Sequence, residues 1–252
     1  MLKTKQYVLL IFILLLSLNS FSQRTTVVVA ANLKIAMDSI LTIYKTQYPN
    51  DAIQVSYGSS GKFYEQILNG APFDLFFSAD MNYPNQLKEK NATASDVKLY
   101  ALGNLVIWSK KLSPKTKGIN SLLDSKIKKI AIANPETAPY GAKAFETLAY
   151  YSLNNRLKSK LVYGENIAQT AQFITLGAAD IGFIALSDAL SPALLKLKGN
   201  FYRIPAKCHS PLEQGCVVLK NGQNNPVAKR FYDYISTKKA VEILNHFGYS
   251  QK

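Results

Sequence analysis

Continuous apolar runs alternate along the chain with segments whose apolar residues recur every three or four positions. TTVVVAA (25–31) is apolar almost throughout, the pattern of a strand buried on both faces. Leu33, Met37, Ile40, Leu41 and Tyr44 then fall at helical spacing. IQVSY (53–57) reads as a strand, KFYEQIL (62–68) as a helix stopped by Gly70, and DLFFSA (74–79) as a third strand. The order β-α-β-α-β predicts a parallel sheet with helices on both faces.

A second unit of similar size follows. LVIWS (105–109) is a strand, and a Lys/Ser/Pro-rich loop and a short helix (121–127) lead to the strand KIAIA (129–133). A helix over about 140–152 turns Ala144, Phe145 and Leu148 inward. KLVY (160–163), a helix over 166–176 ended by Gly177, and DIGFIAL (180–186) continue the alternation. CVVLK (216–220) is one more strand, and the C-terminal stretch reads as two helices. The expected fold is α/β in two lobes, with more than one chain crossing between them.

The start of the chain has a different pattern. Lys3 and Lys5 precede the apolar run YVLLIFILLLSL (7–18), and small residues follow at Ser20 and Ser22. That is the layout of a secretory signal peptide spanning 1–22, cleaved near Ser22. The run is shorter than the ~20 residues of a membrane span, and no cysteine follows it to carry a lipid anchor. The mature protein is therefore expected in the periplasm.

Composition refines this picture. With 48% hydrophobic and 18% charged residues, the 252-residue chain is an ordinary globular protein. Thirty Lys+Arg against sixteen Asp+Glu give a net +14, which suits an anionic partner. The lysines are scattered rather than clustered, so nucleic acid is not the expected one. His209 and His246 are far apart, and Cys208 and Cys216 are the only cysteines, which leaves no metal-ligand spacing.

The candidate chemistry lies where strands hand over to helices. AAN (30–32), GSSG (58–61), PETAPYG (135–141) and GENIAQ (164–169) are four such junctions. In doubly wound sheets the ligand crevice lies outside the carboxyl ends of the strands. Helix starts aim unpaired N–H groups and the positive dipole end there, which suits an anion. The polar side chains at these junctions are Asn32, Ser59, Ser60 and Tyr140, all possible donors. A pocket of donors without acceptors favours a fully deprotonated anion. Each residue also has a plainer reading, as a helix cap, a tight turn or a half-buried aromatic. Lys34, Lys62 and Lys143 sit in first helical turns, where a cation opposes the dipole unless an anion binds nearby. GSSGKF has neither phosphate-loop nor nucleophile-elbow spacing.

Three stretches of the first half, VVVAANLKIAMDSI, VSYGSSGKFYEQILNGAPFDLFFSAD and YALGNLVIWSKK, resemble the molybdate-binding proteins of bacterial ABC importers. The likeness continues through IAIANPETAPYGAKAFETL, GENIAQTAQFITLGAADIGFIALSDA and PLEQGCVVLK. The resemblance implies a type II periplasmic-binding-protein fold, each lobe a mostly parallel sheet flanked by helices, closing on molybdate or tungstate. It implies side-chain ligands at Asn32 and Ser60, and backbone N–H contacts from Ala31, Ser60 and Ile167. Some members bind through a tyrosine in the APYG motif, here Tyr140; others use one at a position where this chain has Ala185. Molybdenum would be held only as the oxyanion, with no cofactor and no catalytic residue. A membrane permease would be the partner, and a monomer is expected.

The expected lobes are 24–104 with 212–252, and 105–211, joined near 103–106 and 212–217. The other readings are a receptor for another tetrahedral oxyanion such as sulfate, and a secreted hydrolase using Ser60. Export and the turn-forming HSPLEQG between Cys208 and Cys216 predict a disulfide between them.

Overall fold

The computed structural model describes residues 24–251, and the expected signal peptide lies outside them. Two five-stranded sheets, each flanked by helices, form two lobes. The first has the order β2-β1-β3-β10-β4, from β1 (Thr25–Ala30), β2 (Ile53–Gly58), β3 (Leu75–Phe77), β4 (Lys98–Gly103) and β10 (Leu212–Val218). The second has the order β7-β6-β8-β5-β9, from β5 (Leu105–Ser109), β6 (Ile130–Ala133), β7 (Leu161–Gly164), β8 (Ile181–Ala185) and β9 (Asn200–Arg203). Pairing among β1, β2 and β3, and among β6, β7 and β8, is parallel. In each sheet one strand opposes both neighbours: β10 lies antiparallel between β3 and β4, and β5 between β8 and β9.

Those two reversed strands are the ones that enter from the other lobe. The chain leaves the first sheet after Gly103, passes Asn104, and starts β5 at Leu105. It leaves the second after Arg203 and joins the first at Leu212.

The apolar runs became the central strands because both faces are covered. Val27, Val28 and Val29 of β1 have almost no exposure. On β2, an edge strand, exposed Gln54 and Ser56 alternate with more covered neighbours. Helix α1 (Lys34–Gln47) buries Ala36, Met37, Ile40 and Tyr44 as one stripe. Helix α2 (Ser60–Leu68) follows β2, and α3 (Asn82–Glu89) follows β3. The second lobe carries α4 (Pro139–Tyr150) after β6 and α5 (Ile167–Thr175) after β7. The side chain of Asn166 accepts from the Gln169 N–H and so caps α5. The C-terminal helices α6 (Pro226–Tyr234) and α7 (Lys238–His246) return to the first lobe, where Phe231 and Leu244 join its core.

The cysteines do not pair. The turn expected between them is not there, because residues from Leu212 onward extend β10 and pair with β4 from Gly103. Cys208 remains in the second lobe's core, with its Sγ 3.4 Å from the Tyr151 hydroxyl. Cys216 lies along β10 in the first lobe's core, level with Phe77. Both are free and buried. Burial pushes the Cys216 thiol up to about 12. Native protein should therefore show two thiols that react with a thiol reagent only after denaturation. Mass spectrometry of air-oxidised protein showing a Cys208–Cys216 bond would contradict this packing.

Candidate functional site

All four junctions meet between the lobes. A cavity there is lined by Ala30, Ala31, Asn32, Gly58, Ser59 and Ser60 from the first lobe, and by Ala138, Tyr140, Asn166 and Ile167 from the second. All six candidate residues are among them. The room left for the centre of a water-sized sphere is about 10 Å³, the scale of one water or one small ion.

The lobes are latched around the cavity. The Thr137 carbonyl, on the approach to α4, accepts from Ser59 Oγ at 2.5 Å and from the Gly61 N–H at 2.8 Å. Lys62 on α2 pairs with Glu165, just ahead of α5, at 2.9 Å. Ser187 Oγ, beyond β8, donates to the Asn32 carbonyl at 2.8 Å.

The donors are not equivalent once their partners are counted. Ser60 Oγ accepts from the Ala79 N–H at 3.0 Å, and the Tyr140 oxygen accepts from Gln214 Nε2 at 3.1 Å. Each oxygen is thus held by the protein while its own proton is unspent. Ser59, by contrast, has given its proton to Thr137. Asn32 has given both amide protons away, to Gln214 Oε1 and to the Tyr249 hydroxyl, each at 2.9 Å. Its Oδ1 is buried without a partner. Ala31, Ser60 and Ile167 stand at the starts of helical turns, where backbone N–H groups lack partners within the helix.

Among the described residues, no charged side chain lines the cavity. The three lysines at the helix starts have carboxylate partners: Lys34 with Asp38 at 2.8 Å, Lys62 with Glu165, and Lys143 with Glu146 at 2.7 Å. That accounts for their positions without an anion. Burial holds the Tyr140 phenol well above its ordinary range, so it remains a donor at any physiological pH. Among the described residues, no histidine or carboxylate is hydrogen-bonded to Ser60, the contact by which a base would activate a nucleophile.

Sequence reasoning missed Gln214. It is fully buried on β10 and touches both Asn32 and Tyr140. The available signal was a glutamine two residues ahead of the apolar run CVVL, in a strand whose other strongly polar residue is Glu213.

Two lobes closing on a space for one small ion define a solute receptor. The chain belongs to the bacterial extracellular solute-binding protein family, whose model matches residues 25–250, and groups there with the ModA proteins. It is 38% identical over 224 residues to the molybdate-binding protein ModA of Azotobacter vinelandii, covering 88% of each chain. The ModA of Rhodobacter capsulatus is 34% identical, over 88% of this chain and 86% of that one. The structure of the Azotobacter vinelandii periplasmic molybdate-binding protein matches with a TM-score of 0.85 at 31% identity, over 91% of this chain and all of that one. The sulfate-binding protein SubI of Mycobacterium tuberculosis, at 13% identity and a TM-score of 0.75, shares the fold.

One buried carboxyl lies close by. Asp188 follows Ser187, its Oδ2 has no partner, and burial pushes it up to about 8. In the unfolded chain an aspartate ionises near ~3.9. Between about pH 4 and about pH 8 the folded protein therefore holds a proton that the unfolded one has lost, and stability falls as pH rises through that window. Asp188→Asn should flatten the fall between about pH 5 and about pH 8, read as denaturation midpoints. An unchanged slope would mean that Asp188 is ionised in the native state.

Proposed function

We propose that this chain captures molybdate or tungstate outside the cytoplasm and delivers it to the membrane permease of an ABC importer. The observation that carries the reading is the pair of unspent protons. Ser60 and Tyr140 face one neutral, ion-sized cavity from opposite lobes, and each oxygen is fixed by a protein donor. The names of the ModA relatives support the choice of ion.

The chemistry follows from these donors. A tetrahedral dianion brings four oxygens that only accept. The backbone N–H groups of Ala31, Ser60 and Ile167 approach from three helix starts, and the hydroxyls of Ser60 and Tyr140 complete the shell. Because contacts come from both lobes, the ion favours the closed form by its differential affinity. Residues 24–104 with 212–252 would move against 105–211, bending at Asn104 and in the 204–211 connection. Sulfate is the alternative ion. It is smaller than molybdate, so the same donors would have to close further to reach it. The hydrolase reading loses ground because Ser60 is hydrogen-bonded to an amide, not a base.

Calorimetry with molybdate, tungstate, sulfate and phosphate tests the assignment. Molybdate and tungstate should bind alike and far more tightly than the others; tighter sulfate binding would make this a sulfate receptor. A hydrogen bond to a charged group is worth about 1.5–3 kcal/mol, so Ser60→Ala should weaken molybdate binding by about ten- to a hundredfold. Tyr140→Phe, which removes only the hydroxyl, should cost a similar factor or less. Full affinity in both variants would place the ion elsewhere.

A further inference from the structure

Tyr140 lines the cavity from the first turn of α4, but what holds its hydroxyl lies across the cleft. Gln214, on β10 of the first lobe, is fully buried. Its Oε1 accepts from Asn32 Nδ2 at 2.9 Å and from the Tyr100 hydroxyl at 2.8 Å. Two donors on the carbonyl side assign the amide nitrogen to the other side, where it donates to the Tyr140 oxygen at 3.1 Å. Asn32 is held in turn by the Tyr249 hydroxyl at 2.9 Å, which gives its own proton to the Asn32 carbonyl at 2.8 Å. The Asn32 amide also reaches this phenol. A phenol oxygen that accepts from Gln214 turns its proton elsewhere, and among the described residues no hydrogen bond carries that proton to a protein acceptor.

The backbone is arranged for this contact. The register of β10 against β4 shifts between Gln214 and Gly215, and such a bulge re-aims a side chain. Opposite, Gly103 leaves open the space in which the bond forms. A Cβ there would collide with both the Tyr140 hydroxyl and Gln214 Nε2.

We propose that Gln214 is a positioning residue that fixes Tyr140 as a hydrogen-bond donor to the bound oxyanion. The proposal rests on the oxyanion reading of the cavity. Gln214 does not touch the ion. It presents a donor to Tyr140, so that Tyr140 must present a donor to the cavity. Because Gln214 and Tyr140 come from different lobes, the donor is set only when the lobes are closed.

Gln214→Glu separates this role from simple packing, because the side chains are nearly isosteric. The ionised carboxylate still accepts from Asn32 and Tyr100 but offers Tyr140 an acceptor. Tyr140 then gives its proton to residue 214 and shows the ion a lone pair. The protonated carboxyl can donate to Tyr140 as the amide does. The titratable groups around this pair are, among the described residues, Tyr100 on β4 with Cys216 and Asp80 behind it, Tyr249 after α7, and Asp188 after β8. All are common to both proteins, so the ratio of their dissociation constants at each pH isolates position 214.

Molybdate affinity of the wild type and Gln214→Glu is measured by calorimetry from about pH 6 to about pH 9, with thermal unfolding as the check on folding. The variant should lose about tenfold or more at the alkaline end and recover toward the wild type as the pH falls. In a Tyr140→Phe background the same substitution should cost clearly less, since there is no phenol proton to redirect. A loss equal at every pH, equal in both backgrounds, or absent would overturn the proposal. If Gln214→Glu does not fold, Gly103→Ala, which displaces both partners, should weaken molybdate binding about tenfold in the wild type and much less with Tyr140→Phe. Equal costs would again overturn it. A wild type that binds no oxyanion would refute the reading of the cavity itself, a different failure from a wild type that binds while Gln214 proves indifferent.

Discussion

A doubly charged ion gives up its hydration on entering a closed cavity, and the walls must replace every lost hydrogen bond. The rest of the site depends on that constraint. We propose that this protein meets it with neutral groups whose protons are free before the ion arrives. Ser60 and Tyr140 are fixed through their oxygens, by Ala79 N–H and by Gln214. Their directions are therefore set by the fold, not by the ion, and little reorganisation remains when the lobes close. The Asn32 carbonyl is tied down in the same way, by Ser187 and Tyr249.

The basic charge of the chain belongs to its outer surface. Lys34, Lys62 and Lys143 stand in first helical turns, where a cation opposes the dipole, and each meets a carboxylate outside the cavity. The Lys62–Glu165 pair is about half exposed and spans the cleft. Exposed pairs of this kind contribute at most about 1 kcal/mol, enough to bias closure without locking it. The positive surface can raise the rate at which anions arrive, while the proposed grip on the ion lies inside.

The central strands were legible because continuous apolar runs such as TTVVVA and LVIWS belong to positions covered on both faces. The four junctions were legible because a strand period changes there to a helix period. Edge elements were not. β9 carries partly exposed residues and Arg203, and α3 buries only Pro84 and Leu87, so neither shows a clean period. The cysteine pairing failed because a Pro and a Gly in HSPLEQG read as a turn, whereas strand pairing with β4 straightened the segment from Leu212 on. At the site, sequence identified which residues line the cavity but not which protons they keep. Asn32 and Ser59 spend theirs on partners more than 70 positions away, at Gln214, Tyr249 and Thr137, contacts that no local pattern encodes.

If neutral, buried donors and not the lysines hold the ion, the salt dependence of molybdate affinity shows it most directly. Contacts sealed from solvent are little screened, whereas exposed charges lose most of their effect once the Debye length falls to a few ångströms. Between about 0.05 M and about 0.5 M of an inert salt, the dissociation constant should change by no more than about threefold, even where the association rate slows. A rise of about tenfold or more over that range would mean that the ion sits on a basic patch, and that Ser60 and Tyr140 are not what holds it.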